Sequence, residues 1–207
     1  MKTEKTTALV ECAVMVALAT ILSFIKIMDL PYGGSITLCS MVPLIIVSYR
    51  RGTKWGIMAA FVFSLIQLLT GLSSIKGITG FFIVMGSILL DYVIAYTVLG
   101  LGGVFRNSVK NPAISLGLGA MISCVLRYFC SFLSGALFWS EYATDTLSSM
   151  AEKGLAIAGQ ILENYSGTAL SMLYSLLYNG LYMIPEIILT VAVCVILGFS
   201  KKIATKY

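Results

Sequence analysis

Four ionisable residues interrupt the apolar stretches of this 207-residue chain: Glu11, Asp91, Arg127 and Glu186. A charge at the centre of a lone membrane-spanning helix costs at least ~2.5–3.5 kcal/mol, so each of these side chains must face a protein interior and find a partner. Glu11 sits near the start of its stretch, where it can reach water. Asp91, Arg127 and Glu186 fall near mid-depth in three different stretches. Arg127 with Glu186 reads as a structural ion pair holding two helices together. Two acids then share one arginine, and Asp91 is the odd charge, available to a cationic ligand. The rival chemistry is an acid–base pair of Asp91 and Glu186, which would make the chain an intramembrane enzyme.

Groups suited to a flat, positively charged, hydrogen-bonding molecule gather at the same depth. Tyr92 adjoins Asp91. Ser131, Gly135 and Trp139 recur at i, i+4, i+8 and so share one helix face, as do Tyr174, Tyr178 and Tyr182. Asn179 stands about 140° around from Tyr174 at the usual helical step. Aromatic faces attract cations, and an amide reads a ring edge through paired donors and acceptors. Taken singly, each ring also fits the aromatic belt at a membrane surface, Trp139 in particular.

Other chemistries have little to build on. There is no histidine, the commonest metal ligand and general base, so neither a metal site nor Ser-His catalysis is expected. The five cysteines, at 12, 39, 124, 130 and 194, form no C-x-x-C pair and read as small buried hydrophobes. No G-x-x-x-x-G-K-[ST] loop is present, so the chain has no such means of hydrolysing ATP. The net charge of +5 does not point to nucleic acid, because the basic residues cluster at the ends of apolar stretches instead of along one face.

The elements that must position these groups are membrane helices. Hydrophobic residues make up 58% and charged residues 11% of the chain, against ~45–50% and ~25% in an ordinary soluble domain. Mean hydropathy is +0.95. The length suits one domain, residues 1–207, and leaves no room for a second, soluble unit of roughly 100 residues. Apolar segments run from about Ala8 to Ile25, Thr37 to Tyr49, Trp55 to Leu72, Ile78 to Val104, Pro112 to Trp139 and Ala169 to Phe199. The expected fold is therefore all-α, six transmembrane helices in one bundle. The second segment is short for a span and is expected to be tilted or partly embedded, with an interruption near Pro43. The first segment, preceded by Lys2 and Lys5, resembles a signal peptide, but its only A-x-A, Ala17-Leu18-Ala19, lies inside the apolar run, so it is expected to be retained.

Basic residues set the orientation, since cytoplasmic loops carry the excess of Lys and Arg. With both termini cytoplasmic, Lys2, Lys5, Arg50, Arg51, Lys54, Arg106, Lys110, Lys201, Lys202 and Lys206 face inward, and only Lys26, Lys76 and Lys153 face outward. The longest connection, residues 140–168, is then extracellular. Its Leu147, Met150, Ala151, Leu155, Ala158, Ile161 and Leu162 recur at helical spacing, which fits either a short amphipathic helix over the outer mouth or a solvated acidic loop.

The ordered set Glu11-Cys-Ala13-Val-Met-Val-Ala17-Leu-Ala19, Tyr49-Arg50-Arg51-Gly52, Leu90-Asp91-Tyr92, Arg127-Tyr128-Phe129 to Phe138-Trp139, and Tyr174 to Gly180 with Pro185-Glu186 resembles the thiamine-specific S-component of energy-coupling factor (ECF) transporters. The resemblance spans nearly the whole chain apart from the outer loop. It implies a multi-pass protein of a prokaryotic cell membrane that does no bond chemistry and needs no cofactor. Such a protein takes thiamine from outside and works with a transmembrane coupling protein and two ABC-type ATPases. By position, the resemblance gives Asp91 the acidic role toward the cationic substrate, with Tyr92 beside it and Ser131 in the wall. Trp139 would stack on a substrate ring, and Tyr174 and Asn179 would hydrogen-bond its other parts. Ala13 and Ala17 match the small-x-x-x-small surface that docks the coupling protein, where small side chains allow close helix approach.

The chain departs from the family pattern in having Asp91 for glutamate and Ser131 for histidine. For the tryptophans of the first loop and third segment, Tyr32 and Phe63 are the nearest candidates. A thiamine-related pyrimidine or thiazole, or another vitamin, is the alternative substrate. A self-contained channel or secondary carrier is the remaining class, disfavoured by the lack of an inverted internal repeat.

Overall fold

A computed structural model describes residues 2–30, 34–75 and 80–207. Tyr32 and Lys76 fall outside those residues. Among the described residues, five helices are long and apolar enough to cross a membrane: α1 (Lys2–Phe24), α3 (Thr53–Ile75), α4 (Phe81–Gly103), α5 (Pro112–Phe138) and α8 (Gly167–Gly198). Their outward faces carry Leu9, Val14, Ile21, Phe61, Ile122, Ile188 and Ile196, all exposed. Such large exposed apolar side chains suit lipid tails and not water.

The expected second span is a ten-residue helix, α2 (Val42–Arg51), about 15 Å long and half the ~30 Å of a bilayer's hydrocarbon core. Every residue from Val42 to Tyr49 is buried, so α2 is a core element surrounded by the long helices. Pro43 stands at its start, where a missing N–H costs nothing, and does not interrupt it. Between α1 and α2 lies a two-stranded antiparallel hairpin, β1 (Lys26–Asp29) and β2 (Ser35–Thr37), pairing Met28 with Ile36 and Asp29 with Ser35. This hairpin modifies the all-α expectation. Strand β1 is exposed throughout, whereas Ile36 and Thr37 of β2 turn into the bundle.

Helix α4 is not uniformly wound. Ile88–Ile94 forms a π-helix and Val98–Gly103 a 3-10 helix. Helix α5 begins cleanly, with Pro112 in its first turn and the Asn111 side chain accepting from the Ala113 and Ile114 N–H groups at 2.9 and 3.4 Å. Pro185 inside α8 removes one backbone donor, a loss tolerated where neighbouring helices pack closely.

The connection 140–168 holds two short helices, α6 (Ala143–Glu152) and α7 (Ala156–Asn164), joined through Gly154 at φ +93°. Ala143, Leu147, Ala158 and Ile161 from their inner faces join the main core, while Glu141, Asp145, Glu152 and Glu163 stay exposed.

The far end of the bundle is tied by charge. Glu11 of α1 receives Arg50 on one carboxylate oxygen and Arg51 on the other, each at 2.6 Å. The Arg51 guanidinium lies 4.4 Å from the Tyr207 ring centroid, and the Tyr207 N–H donates to Arg50 O at 2.8 Å.

Candidate functional site

A cavity of about 730 Å3, counted out to its open mouth, lies among α4, α5, α8 and the hairpin. The π-wound stretch of α4 contributes Asp91 and Tyr92, and Tyr96 follows one turn later. Helix α5 contributes Arg127, Ser131, Gly135 and Trp139 at four-residue intervals. Helix α8 adds Tyr174, Tyr178 and Tyr182 with Asn179, and the hairpin adds Gly34 and Ser35. All six candidate binding residues, Asp91, Tyr92, Ser131, Trp139, Tyr174 and Asn179, thus meet in one cavity.

Acid and base are segregated within it. Asp91 Oδ2 accepts from Ser134 Oγ at 2.6 Å and from Trp139 Nε1 at 3.1 Å, two neutral donors. Arg127 Nη1 lies 3.5 Å from Glu186 Oε2, its Nη2 donates to the Tyr96 hydroxyl at 3.1 Å, and its guanidinium sits 4.4 Å from the Tyr96 ring centroid. Glu186, 1% exposed, also accepts from the Thr37 hydroxyl, which β2 brings inward. The arginine charge is therefore answered within the protein, and among the described residues no cation pairs with Asp91. Glu186 belongs to this buried network and is not among the described residues lining the cavity.

The tyrosine stripe is ordered by its own ring contacts, with centroids 5.8 Å apart for Tyr174 and Tyr178 and 6.1 Å for Tyr178 and Tyr182. The Tyr178 hydroxyl accepts from the Gly34 N–H at 3.3 Å and so fastens the hairpin to the cavity wall. Tyr92 sends its hydroxyl away, donating to Gly71 O at 3.1 Å, which leaves its ring as the part facing the cavity.

Asn179 is more committed than its spacing suggests. Its Nδ2 donates to Ser175 O at 2.9 Å and Ser131 O at 3.2 Å, and its Oδ1 accepts from the Tyr182 hydroxyl at 2.7 Å. One Oδ1 lone pair is left for a ligand. Ser131 is thereby drawn into the wall through its carbonyl. Gly135 makes this contact possible: a Cβ there would stand 3.2 Å from Asn179 Nδ2 and would overlap Ser175 Oγ.

Sequence reading passed over four participants. Tyr96 lies four residues after Tyr92, a signal of shared face that was available. Ser134 and the hairpin residues Gly34 and Ser35 carry no periodic or compositional mark. Phe63 is wholly buried and meets Tyr96 edge-on at 5.4 Å and 77°, so it backs the wall without lining it. Ala13 and Ala17 are exposed together on α1, turned away from the buried Cys12, Val16 and Ala19.

Several apolar helices around a partly enclosed, ring-lined cavity, with a carboxylate that no cation among the described residues matches, define a polytopic membrane protein able to hold a small molecule. Residues 9–151 match the model of the thiamine transporter protein family (Thia_YuaJ), and the chain belongs to that family. It is similar to the thiamine transporter ThiT of Bacillus subtilis (strain 168), 29% identical over 200 residues that cover 91% of this chain and 88% of that one. The thiamine transporter ThiT of Lacticaseibacillus paracasei is 29% identical over 156 residues, 65% of this chain and 69% of that one. A solved structure of ThiT from Listeria monocytogenes shares the fold, with a TM-score of 0.71 and 23% identity over 98% of this chain and 99% of that one.

Proposed function

We propose that this chain is the substrate-capture subunit of an ECF-type importer, binding thiamine from outside a cell membrane. Delivery inward would depend on a transmembrane coupling protein and two ATPases. The observation that carries the reading is the charge arrangement in the cavity. Arg127 is answered by Glu186, while Asp91 is held by neutral donors and faces tyrosine and tryptophan rings. The thiazolium ring of thiamine supplies the missing charge, and thiamine's two flat rings match aromatic walls. In this reading Trp139 stacks on a substrate ring, Tyr174 hydrogen-bonds the ligand, and Tyr92 flanks the cation. Asn179 offers its remaining lone pair to the aminopyrimidine, and Ser131 shapes the wall.

Both termini lie on the cytoplasmic side, which puts the ten-to-three excess of basic residues inside and the cavity mouth outside. The exposed Ala13 and Ala17 are the docking surface for the coupling protein.

The test is a titration of the purified full-length protein with thiamine, followed by uptake into vesicles with and without the ATPase module. Saturable binding of unaltered thiamine, with uptake only when the module is present, supports the reading. Conversion of thiamine by the purified chain would make it an enzyme. Ion-driven uptake by the chain alone would make it a carrier.

A further inference from the structure

Helical serines and threonines in this chain commonly turn their hydroxyls back on their own helix. Thr20 donates to Val16 O at 2.8 Å, Ser123 to Gly119 O at 2.8 Å, Thr70 to Ile66 O at 3.1 Å and Ser171 to Gly167 O at 3.2 Å. This is what a hydroxyl does in a helix when no better acceptor is near. Ser134 does otherwise. Wholly buried on α5, it donates at 2.6 Å across to Asp91 Oδ2 on α4. The Trp139 indole N–H reaches the same oxygen from the end of α5 at 3.1 Å. Both donors hold Oδ2, and among the described residues none donates to Oδ1.

We propose that Ser134, together with the Trp139 N–H, is a positioning device that fixes Oδ2 and presents Oδ1 as the single anionic contact for ligand. The inference rests on the thiamine-capture reading and sharpens its specificity. A site with one presented oxygen selects a ligand that brings a positive charge to that point, and discriminates against an isostere lacking the charge. The two donors are neutral, so they orient the carboxylate without cancelling its charge. A side chain already held in its bound geometry also loses less freedom when ligand arrives. Aspartate, with one rotor fewer than glutamate, is the easier of the two acids to hold this way.

The experiment measures Kd values for thiamine and for its neutral deaza analogue, in which carbon replaces the charged ring nitrogen. It uses the purified wild type, Ser134→Ala, Ser134→Thr and Trp139→Phe. The wild type binds thiamine more tightly than the analogue. Ser134→Ala weakens thiamine about tenfold or more, the loss of a hydrogen bond to a charged group, and the analogue by no more than about twofold. Ser134→Thr restores a hydroxyl and recovers the discrimination. Trp139→Phe keeps a ring while removing the second donor, and it lowers the ratio as well.

Equal weakening of both ligands by Ser134→Ala, or of neither, overturns the positioning role while leaving thiamine capture intact. A wild type that prefers the neutral analogue overturns both readings.

Discussion

Arg127 Nη1 and Glu186 Oε2 lie 3.5 Å apart, with Glu186 almost sealed from solvent at 1% exposure. Removing one member of such a pair leaves the other buried and uncompensated, at about 3–5 kcal/mol, whereas replacing both by apolar groups of similar volume is often neutral. Arg127→Met and Glu186→Leu should therefore each lower the unfolding temperature sharply in detergent. The double variant should lose much less than the sum. Additive losses would show that the two charges are held by other partners.

Asp91→Asn keeps shape and removes charge. With Oδ2 occupied by neutral donors, the amide can still sit between Ser134 and Trp139, so the helices should stay packed. Thiamine binding should fall at least about tenfold, as expected for losing a charged partner in a partly desolvated site, while a neutral pyrimidine analogue loses little. Titration by intrinsic fluorescence of Trp139 and its neighbouring tyrosines reads both ligands. Equal losses would remove the charge role from Asp91.

Much of this cavity could be read from periodicity, because the residues concerned sit on uniformly wound helices. Ser131, Gly135 and Trp139 follow the four-residue step on α5, and Tyr174, Tyr178 and Tyr182 follow it on α8, so their shared faces were legible. The Arg127–Glu186 pair and the odd status of Asp91 followed from counting charges in apolar stretches. Helix α4 was less readable. Its Ile88–Ile94 stretch is π-wound, a wider turn that shifts the phase of every later residue, and nothing in ILLDYVI announces it. The hairpin escaped for a related reason. Lys26–Asp29 is exposed at every position and so lacks the in–out alternation that marks a strand, yet β2 delivers Ser35 to the cavity and Thr37 to Glu186. Whether the short apolar segment of α2 is a tilted span or a partly embedded helix is not legible from its side chains, because burial inside a bundle and burial in lipid select the same residues.

Gly135 sets how closely α5 approaches α8. A methyl group there would be 3.0 Å from Ser175 Cβ and 3.2 Å from Asn179 Nδ2, and would overlap Ser175 Oγ. Gly135→Ala should push the helices apart and disturb the Ser175 and Asn179 hydrogen bonds, at about 1–3 kcal/mol for overpacking. Thiamine affinity and melting temperature should fall together. Gly135→Ala with Ser175→Ala, which clears the obstructing hydroxyl, should recover part of the stability. Absence of any recovery would mean that the clash lies elsewhere.

Glu11 offers a way to separate capture from delivery. It joins α1 to the last turn of α2 through Arg50 and Arg51, about midway along α1 and apart from the residues that line the cavity. Glu11→Gln removes the charge that both arginines share, freeing α1 to shift relative to α2 without touching Asp91 or the tyrosine stripe. Since α1 also carries the exposed Ala13 and Ala17, its placement should matter to partner docking more than to ligand binding. Thiamine affinity of the purified variant should stay within about twofold of wild type, because separated sites act nearly independently. Uptake in vesicles containing the ATPase module should drop several-fold. A parallel fall in affinity and uptake would instead tie the Glu11 cluster to the integrity of the cavity itself.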